Sequence, residues 1–277
     1  MRGRRKVTAL ATALALALLL SACAGEMTIY PDVAGSSAKA QAGPHAIWQV
    51  GVQAPDGDAH ATAMRVRIQT HLPQRVASNT TNYYWIGAYL RDNSFIQAGY
   101  YVPWYQSNQA GWFYCAFVTA ADQPQCTYGD LGTVAGDGQW HTYGLESVAD
   151  VGAATVTAGG NAAASGPGWQ VTMDDHVLGA FAWSMGDTGT HVPAVYAESS
   201  SPAPRDSGGG TLGPVDFQDF AVRLNGQLRD QPVSQGTPSY NAANVCPPFG
   251  LRADGHGGLL MGSGLPCPGE LTTLQWG

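Results

Sequence analysis

Charge is scarce in this chain: Asp, Glu, Lys and Arg make up 12% of its 277 residues. Only 13 are Lys or Arg, and four of those (Arg2, Arg4, Arg5, Lys6) fall in the first six positions. The formal net charge is −7, and it becomes −11 once those four cations are removed with an N-terminal segment. The nine Lys and Arg that remain are outnumbered by 20 Asp and Glu, which argues against a nucleic-acid partner. Sustained helical periodicity is also missing, because Pro or Gly interrupts every long window, so helix beyond a turn or two is not expected. The chain has no GxSxG or HExxH motif, no CxxC pair, and no two of its seven His stand at a short metal-binding spacing. No phosphate-cradling glycine loop opens a helix, and no metal or cofactor is expected. Glutamate is limited to Glu26, Glu146, Glu198 and Glu270, and no ExDxE-type strand of a two-carboxylate glycosidase occurs.

What is present is 36 Gly, 17 Pro, 8 Trp and 12 Tyr in a chain that is 44% hydrophobic. This composition suits short strands joined by tight turns and makes the fold all-β. In Met64-Arg65-Val66-Arg67-Ile68-Gln69, apolar and polar residues alternate with the period of a half-buried strand. Further strands are predicted at Tyr83 to Leu90, Ser94 to Val102, Gly111 to Phe117, Trp140 to Val148, Trp169 to Met173, Leu178 to Trp183, Pro193 to Ser199 and Val215 to Leu224. Arg91-Asp92-Asn93 makes the first two of these a hairpin. Residues 45–230 are long enough for one β-sandwich domain. From residue 231 to 277 the chain is rich in Pro and Gly around Cys246 and Cys267, and it reads as a disulfide-pinned strap packed on the sandwich.

Residues 1–22 combine a basic start, an apolar run from Val7 to Leu20, and Leu20-Ser21-Ala22-Cys23. This reads as a secretory signal, too short and wrongly flanked to span a membrane, that ends in a bacterial lipobox or, in the alternative, in a nearby small-residue site whose cleavage frees a soluble protein. With the lipobox, Cys23 would carry lipid, and residues 23–44, poor in large apolar side chains, form a tether. The protein is expected outside the cytoplasm, at the bacterial cell surface, as a membrane-anchored monomer. The remaining four cysteines form an even set in an oxidising compartment, with Cys115–Cys126 and Cys246–Cys267 favoured by proximity among three possible connectivities.

Alternation also sorts the aromatic residues. Trp85, Gly87 and Tyr89 share one face of their strand, and Phe95, Gln97, Gly99 and Tyr101 share one face of the next. Trp112 and Tyr114 form one face of the third. Grouped together, Trp85, Tyr89, Phe95, Tyr101, Trp112 and Tyr114 surround a single amide, Gln97. This face is either the sandwich core with a hydrogen-bonded Gln or a groove whose rings line a ligand. The mixture of Tyr, Trp and Gly, where a core would use Val, Ile and Leu, favours the groove.

Trp85-Ile86-Gly87, Phe95-Ile96-Gln97-Ala98-Gly99, Trp112-Phe113-Tyr114, and Ala197-Glu198 ahead of Val215-Asp216-Phe217 together resemble the eqolisin, or glutamic peptidase, family. The resemblance implies a concanavalin-like jelly-roll sandwich of two curved antiparallel sheets. It also implies a catalytic pair, Gln97 and Glu198, on one concave face, working at acid pH. The carboxylate would activate a water and the amide would stabilise the oxyanion. Where the family carries acidic residues, this chain has Ala88-Tyr89 and Tyr114-Cys115. The stretches Gly138 to Glu146 and Gly168 to Gly179 are similar to strands of laminin-G and concanavalin-like lectin domains. That likeness implies the alternative of a module that binds an extended glycan or peptide without cleaving it.

Overall fold

A computed structural model describes residues 46–53, 61–73, 80–90, 95–117, 125–152, 166–182, 190–201, 212–224, 227–230, 237–240, 249–256 and 258–266. The strands, in chain order, are β1 (Ala46–Gln53), β2 (Ala61–Gln69), β3 (Thr81–Leu90), β4 (Phe95–Pro103), β5 (Gly111–Phe117), β6 (Gln125–Tyr128), β7 (Trp140–Val148) and β8 (Gly168–Met173). They continue with β9 (His176–Ala182), β10 (Thr190–Ser201), β11 (Val215–Leu224), β12 (Gln227–Asp230), β13 (Thr237–Tyr240), β14 (Phe249–Ala253) and β15 (Leu259–Ser263). One 3-10 turn, Trp104–Gln106, follows β4.

All pairings are antiparallel. The first sheet runs β13-β1-β10-β3-β4-β5-β6, and the second runs β14-β15-β11-β2-β7-β8-β9, with β12 alongside the C-terminal half of β11. A single ladder pair, Thr190 with Ala61, joins β10 to β2 at the corner where the sheets meet. The architecture is an all-β sandwich of two antiparallel sheets, as the composition predicted. The strand predictions match in position because each rests on a run of alternating or aromatic residues that one sheet face buries. β3 and β4 pair from Thr81 with Pro103 to Tyr89 with Phe95, as a hairpin requires; its connection lies outside the described residues.

The main core fills the space between the sheets. Ile86, Ala98 and Val195 from the first sheet meet Val66, Trp169 and Phe217 from the second, all buried. Within residues 231–277 the described stretches form strands of the two sheets, and Cys246 and Cys267, expected to pin a strap there, lie outside the described residues. β13 extends the first sheet beside β1, while β14 and β15 extend the second beside β11. Leu251, Leu259 and Met261 lie in the main core. Two short strands with two or three apolar residues each, interrupted by Gly250 and Gly262, give too brief an alternation to stand out in sequence.

Cys115 and Cys126, directly opposite on β5 and β6, are joined by a disulfide. Cys23, Cys246 and Cys267, with residues 1–45, lie outside the described residues.

Candidate functional site

Directly opposed residues in antiparallel strands point to the same side of a sheet. On the first sheet Gln97 of β4 opposes Gly87 of β3 and Cys115 of β5, and Gly87 opposes Ala194 of β10. The face turned away from the main core therefore carries Tyr83, Trp85, Phe95, Gln97, Tyr101, Phe113, Cys115 and Tyr196. Trp85, Phe95 and Tyr101 stand where the sequence placed them. Tyr89 occupies the register position opposite Phe95 on the same face.

Trp112 and Tyr114 do not belong to this face. Trp112 opposes Tyr100 and Tyr114 opposes Ala98, which puts both on the inner side, where Tyr114 is buried against Phe181 and Trp112 packs on the main core. The residues that do flank Gln97 from β5 are Phe113 and Cys115. Alternation within β5 separates the two sets correctly, but only the pairing of Tyr101 with Gly111 decides which set joins Gln97. Tyr83 and Tyr196 were also missed, although stepping by two from Trp85 and from Glu198 reaches both.

This face is a second packed layer rather than an open floor. Tyr83, Trp85, Phe95, Phe113 and Tyr196 are all buried. The Trp85 ring lies edge-to-face with Phe95 at 5.3 Å and tilted against Tyr196 at 4.6 Å, and Tyr83 meets Phe113 edge-on at 5.0 Å. Glycines make this packing possible. A Cβ on Gly87 would stand 2.7 Å from Phe95 Cζ and 2.9 Å from Trp85 Cζ3, and one on Gly51 would run into the Tyr196 ring. Rings that fold flat over cross-strand glycines fill the volume a groove would have needed. Toward one end the layer reaches solvent: Tyr101 and Tyr128 are half-buried, edge-on at 5.2 Å, and the Tyr101 hydroxyl donates to the Gly129 carbonyl at 3.0 Å.

Gln97 is 1% exposed, and neither its Oε1 nor its Nε2 makes a hydrogen bond. An unmatched buried amide costs about 1–3 kcal/mol, so apolar packing alone does not account for Gln97 among these rings. Glu198 opposes Tyr83, four positions along β10 from Ala194, and its register position falls on the same face. Two strand spacings and four residues separate the Cα atoms of Gln97 and Glu198 by ~16 Å along the diagonal. Trp85 occupies the midpoint of that diagonal.

A second group of acids lies on the other sheet. Gln218 Nε2 donates to Asp216 Oδ2 at 2.9 Å and to Asp254 Oδ2 at 3.0 Å, while the His256 and Gly258 amides donate to Asp254 Oδ1. Burial, and then the charge of Asp254, push the Asp216 carboxyl up to about 6. Amide hydrogen bonds hold Asp254 below the usual range against its own desolvation. Among the described residues, no three His, Cys, Asp or Glu side chains are grouped so as to hold a metal ion.

No family model and no curated protein matches the chain by sequence. Among solved structures, its fold is similar to a Scytalido-glutamic peptidase bound to a peptide-based transition-state analogue, with a TM-score of 0.49 and 10% identity over 79% of this chain and 99% of that one. It is also similar to SCP-B, a member of the eqolisin peptidases bound to the tripeptide Ala-Ile-His, with a TM-score of 0.47 and 10% identity over 79% and 98%. A family 16 endo-glucanase from Bacteroides ovatus aligns with a TM-score of 0.34 and 10% identity over 56% and 66%. The strand order and pairing by themselves show an all-β sandwich of two antiparallel sheets.

Proposed function

We propose that this protein is an exported, lipid-anchored peptidase that hydrolyses peptide bonds with Gln97 and Glu198. The observation that carries the reading is the buried amide of Gln97, unpartnered at both ends, on the sheet face where the register also places Glu198. In the proposed reaction the Glu198 carboxylate takes a proton from water as the water oxygen attacks the substrate carbonyl carbon. Gln97 Nε2 donates a hydrogen bond to the oxyanion that forms. The protonated Glu198 then returns its proton to the leaving nitrogen as the C–N bond breaks. Trp85, midway between the two and only 3% exposed, would have to turn aside for the scissile bond to reach both, with Phe95, Tyr101 and Tyr89 beside it. The cycle consumes one water per bond, needs no cofactor, and suits an acidic exterior.

A specific observation favours a second reading. With ~16 Å between Cα atoms and an indole at the midpoint, the two side chains share a water only when both extend along the diagonal. A face that cannot bring them together would still bind an extended peptide or glycan, entering at half-buried Tyr101 and Tyr128.

Hydrolysis of a denatured protein mixture between pH 2 and 8, by the chain from residue 23 with Cys23→Ser, separates the two. The peptidase reading expects cleavage in acid, abolished in Glu198→Gln and reduced about 10²- to 10³-fold in Gln97→Ala, which removes the oxyanion donor. Absence of cleavage by a folded wild-type chain, or undiminished cleavage by Glu198→Gln, overturns it.

A further inference from the structure

Three large apolar side chains are exposed among the described residues, and two of them are neighbours: Trp104 at 45% and Tyr105 at 65%. Both stand on the 3-10 turn Trp104–Gln106, which buries none of its own residues. The turn is nevertheless well held. The Trp104 amide donates to the Thr80 carbonyl at 3.0 Å, and Gln106 Nε2 donates to Gln109 Oε1 at 2.6 Å. The two rings meet edge-on at 90°, 6.1 Å apart, so neither hides the other from solvent.

The register fixes which end of the molecule this is. Ala46, where β1 begins, opposes Ser201; Ser200 opposes Thr81; and Thr81 opposes Pro103, the residue before Trp104. The start of β1 and the aromatic turn therefore share one end of the first sheet, three strand spacings or ~15 Å apart. In sequence, Cys23 precedes Ala46 by 23 positions, and a coil of that length spans about 25 Å. Among the described residues, those next to the turn in sequence or register, Thr80, Thr81, Gln106, Ser107, Asn108 and Gln109, are uncharged, and no strand of the first sheet contains Lys or Arg. Asp130 is the nearby carboxylate, and with Tyr105 it helps to raise the Tyr101 phenol, an effect led by burial.

We propose that this end of the first sheet rests on the lipid bilayer, with Trp104 and Tyr105 seated among the headgroups of zwitterionic lipid. Indole and phenol rings favour that depth because an apolar body is joined to a polar tip. Among the described residues the strands of the first sheet offer no Lys or Arg to anionic lipid at this end, and the exposed rings are the contact they present. The inference rests on acylation of Cys23 from the reading above, and not on its peptidase chemistry.

The test places the mature acylated chain on dioleoylphosphatidylcholine vesicles doped with phosphatidylcholine brominated along its acyl chains, which quenches indoles at the bilayer. Wild type is expected to lose a share of its tryptophan emission that Trp104→Phe does not lose, and Glu198→Gln is expected to behave as wild type. Equal quenching in wild type and Trp104→Phe, or none in wild type, overturns the proposal. The mass of Cys23 is measured in parallel. If it carries no lipid, the anchor fails separately and the turn is read by flotation of the same chain with the same vesicles. Flotation that falls several-fold in a Trp104→Ser, Tyr105→Ser double variant then supports the aromatic contact, and absence of flotation overturns it.

Discussion

The strands β3, β4 and β10 are buried on both sides, and the two sides are built differently. Inward they present Ile86, Ala88, Ile96, Ala98 and Val195 with the stacked pair Tyr84 and Tyr100, 4.7 Å apart, against the second sheet. Outward the same strands present Tyr83, Trp85, Phe95, Gln97 and Tyr196, folded over glycines. Their polar groups differ as well. The inner Tyr100 hydroxyl donates to the Gln69 carbonyl at 3.0 Å and accepts from the His71 amide at 2.9 Å. Trp169 and Tyr143 each leave one polar atom unmatched on the inner side, whereas Gln97 leaves both a donor and an acceptor. Both layers thus hold buried polar atoms without a hydrogen bond, and Gln97 is the side chain that leaves a donor and an acceptor together.

The strongest way to break this comparison is to open a cavity in each layer. Phe217→Ala in the main core and Trp85→Ala in the outer layer should each cost about 3–5 kcal/mol by denaturant unfolding. A loss below about 1 kcal/mol for Trp85→Ala would mean that the outer rings are not packed as a core, since a well-packed indole cannot be removed so cheaply. Gly87→Ala should cost about 1–3 kcal/mol, because the new methyl meets Phe95 and Trp85 in a filled space. Gln97→Leu should do the opposite and stabilise the fold by up to about 1–3 kcal/mol while ending any activity of the face, because leucine needs no hydrogen bond. A destabilised Gln97→Leu would show that the amide is satisfied after all.

The outer surface of the second sheet supplies the smaller effects. With Asp216 raised from 3.8 to about 6, the folded chain holds that proton more tightly than the unfolded chain. The stability it contributes is fully present below pH 3.8 and is lost as pH rises toward 6. Thermal unfolding of Asp216→Asn should lack this decline between pH 4 and 7. Asp254, whose carboxyl is lowered, contributes in the opposite sense, and its contribution disappears only as pH falls below the usual carboxylate range. Asp219 pairs with Arg67 at 2.8 Å on the surface and has φ +52°, a conformation Asn accepts. Asp219→Asn should therefore move stability by no more than about 0.5 kcal/mol.

Much of this was legible in the sequence, for a definite reason. A sheet face buried against another element must be apolar at every second residue, so Met64, Val66 and Ile68 announce β2 by themselves. Gln97 stood out because it is the one amide in an apolar alternation. Alternation does not extend from strand to strand: in β5 the set containing Trp112 and Tyr114 was joined to the wrong side. The short strands β14 and β15 were missed because their glycines break the pattern after two or three apolar residues.

The sequence by itself determined the all-β class, the position of the long strands and the two sets of residues in each strand, since those follow from backbone period and side-chain polarity. The tertiary structure alone decided which set of β5 joins Gln97, that rings over glycines close the aromatic face, and that Ala46 and Trp104 share an end of the first sheet. It also decided that Glu198 stands on Gln97's face four positions along β10, with Trp85 at the midpoint. Those facts depend on register between residues far apart in the chain, which hydrogen bonds between strands set and no local pattern encodes.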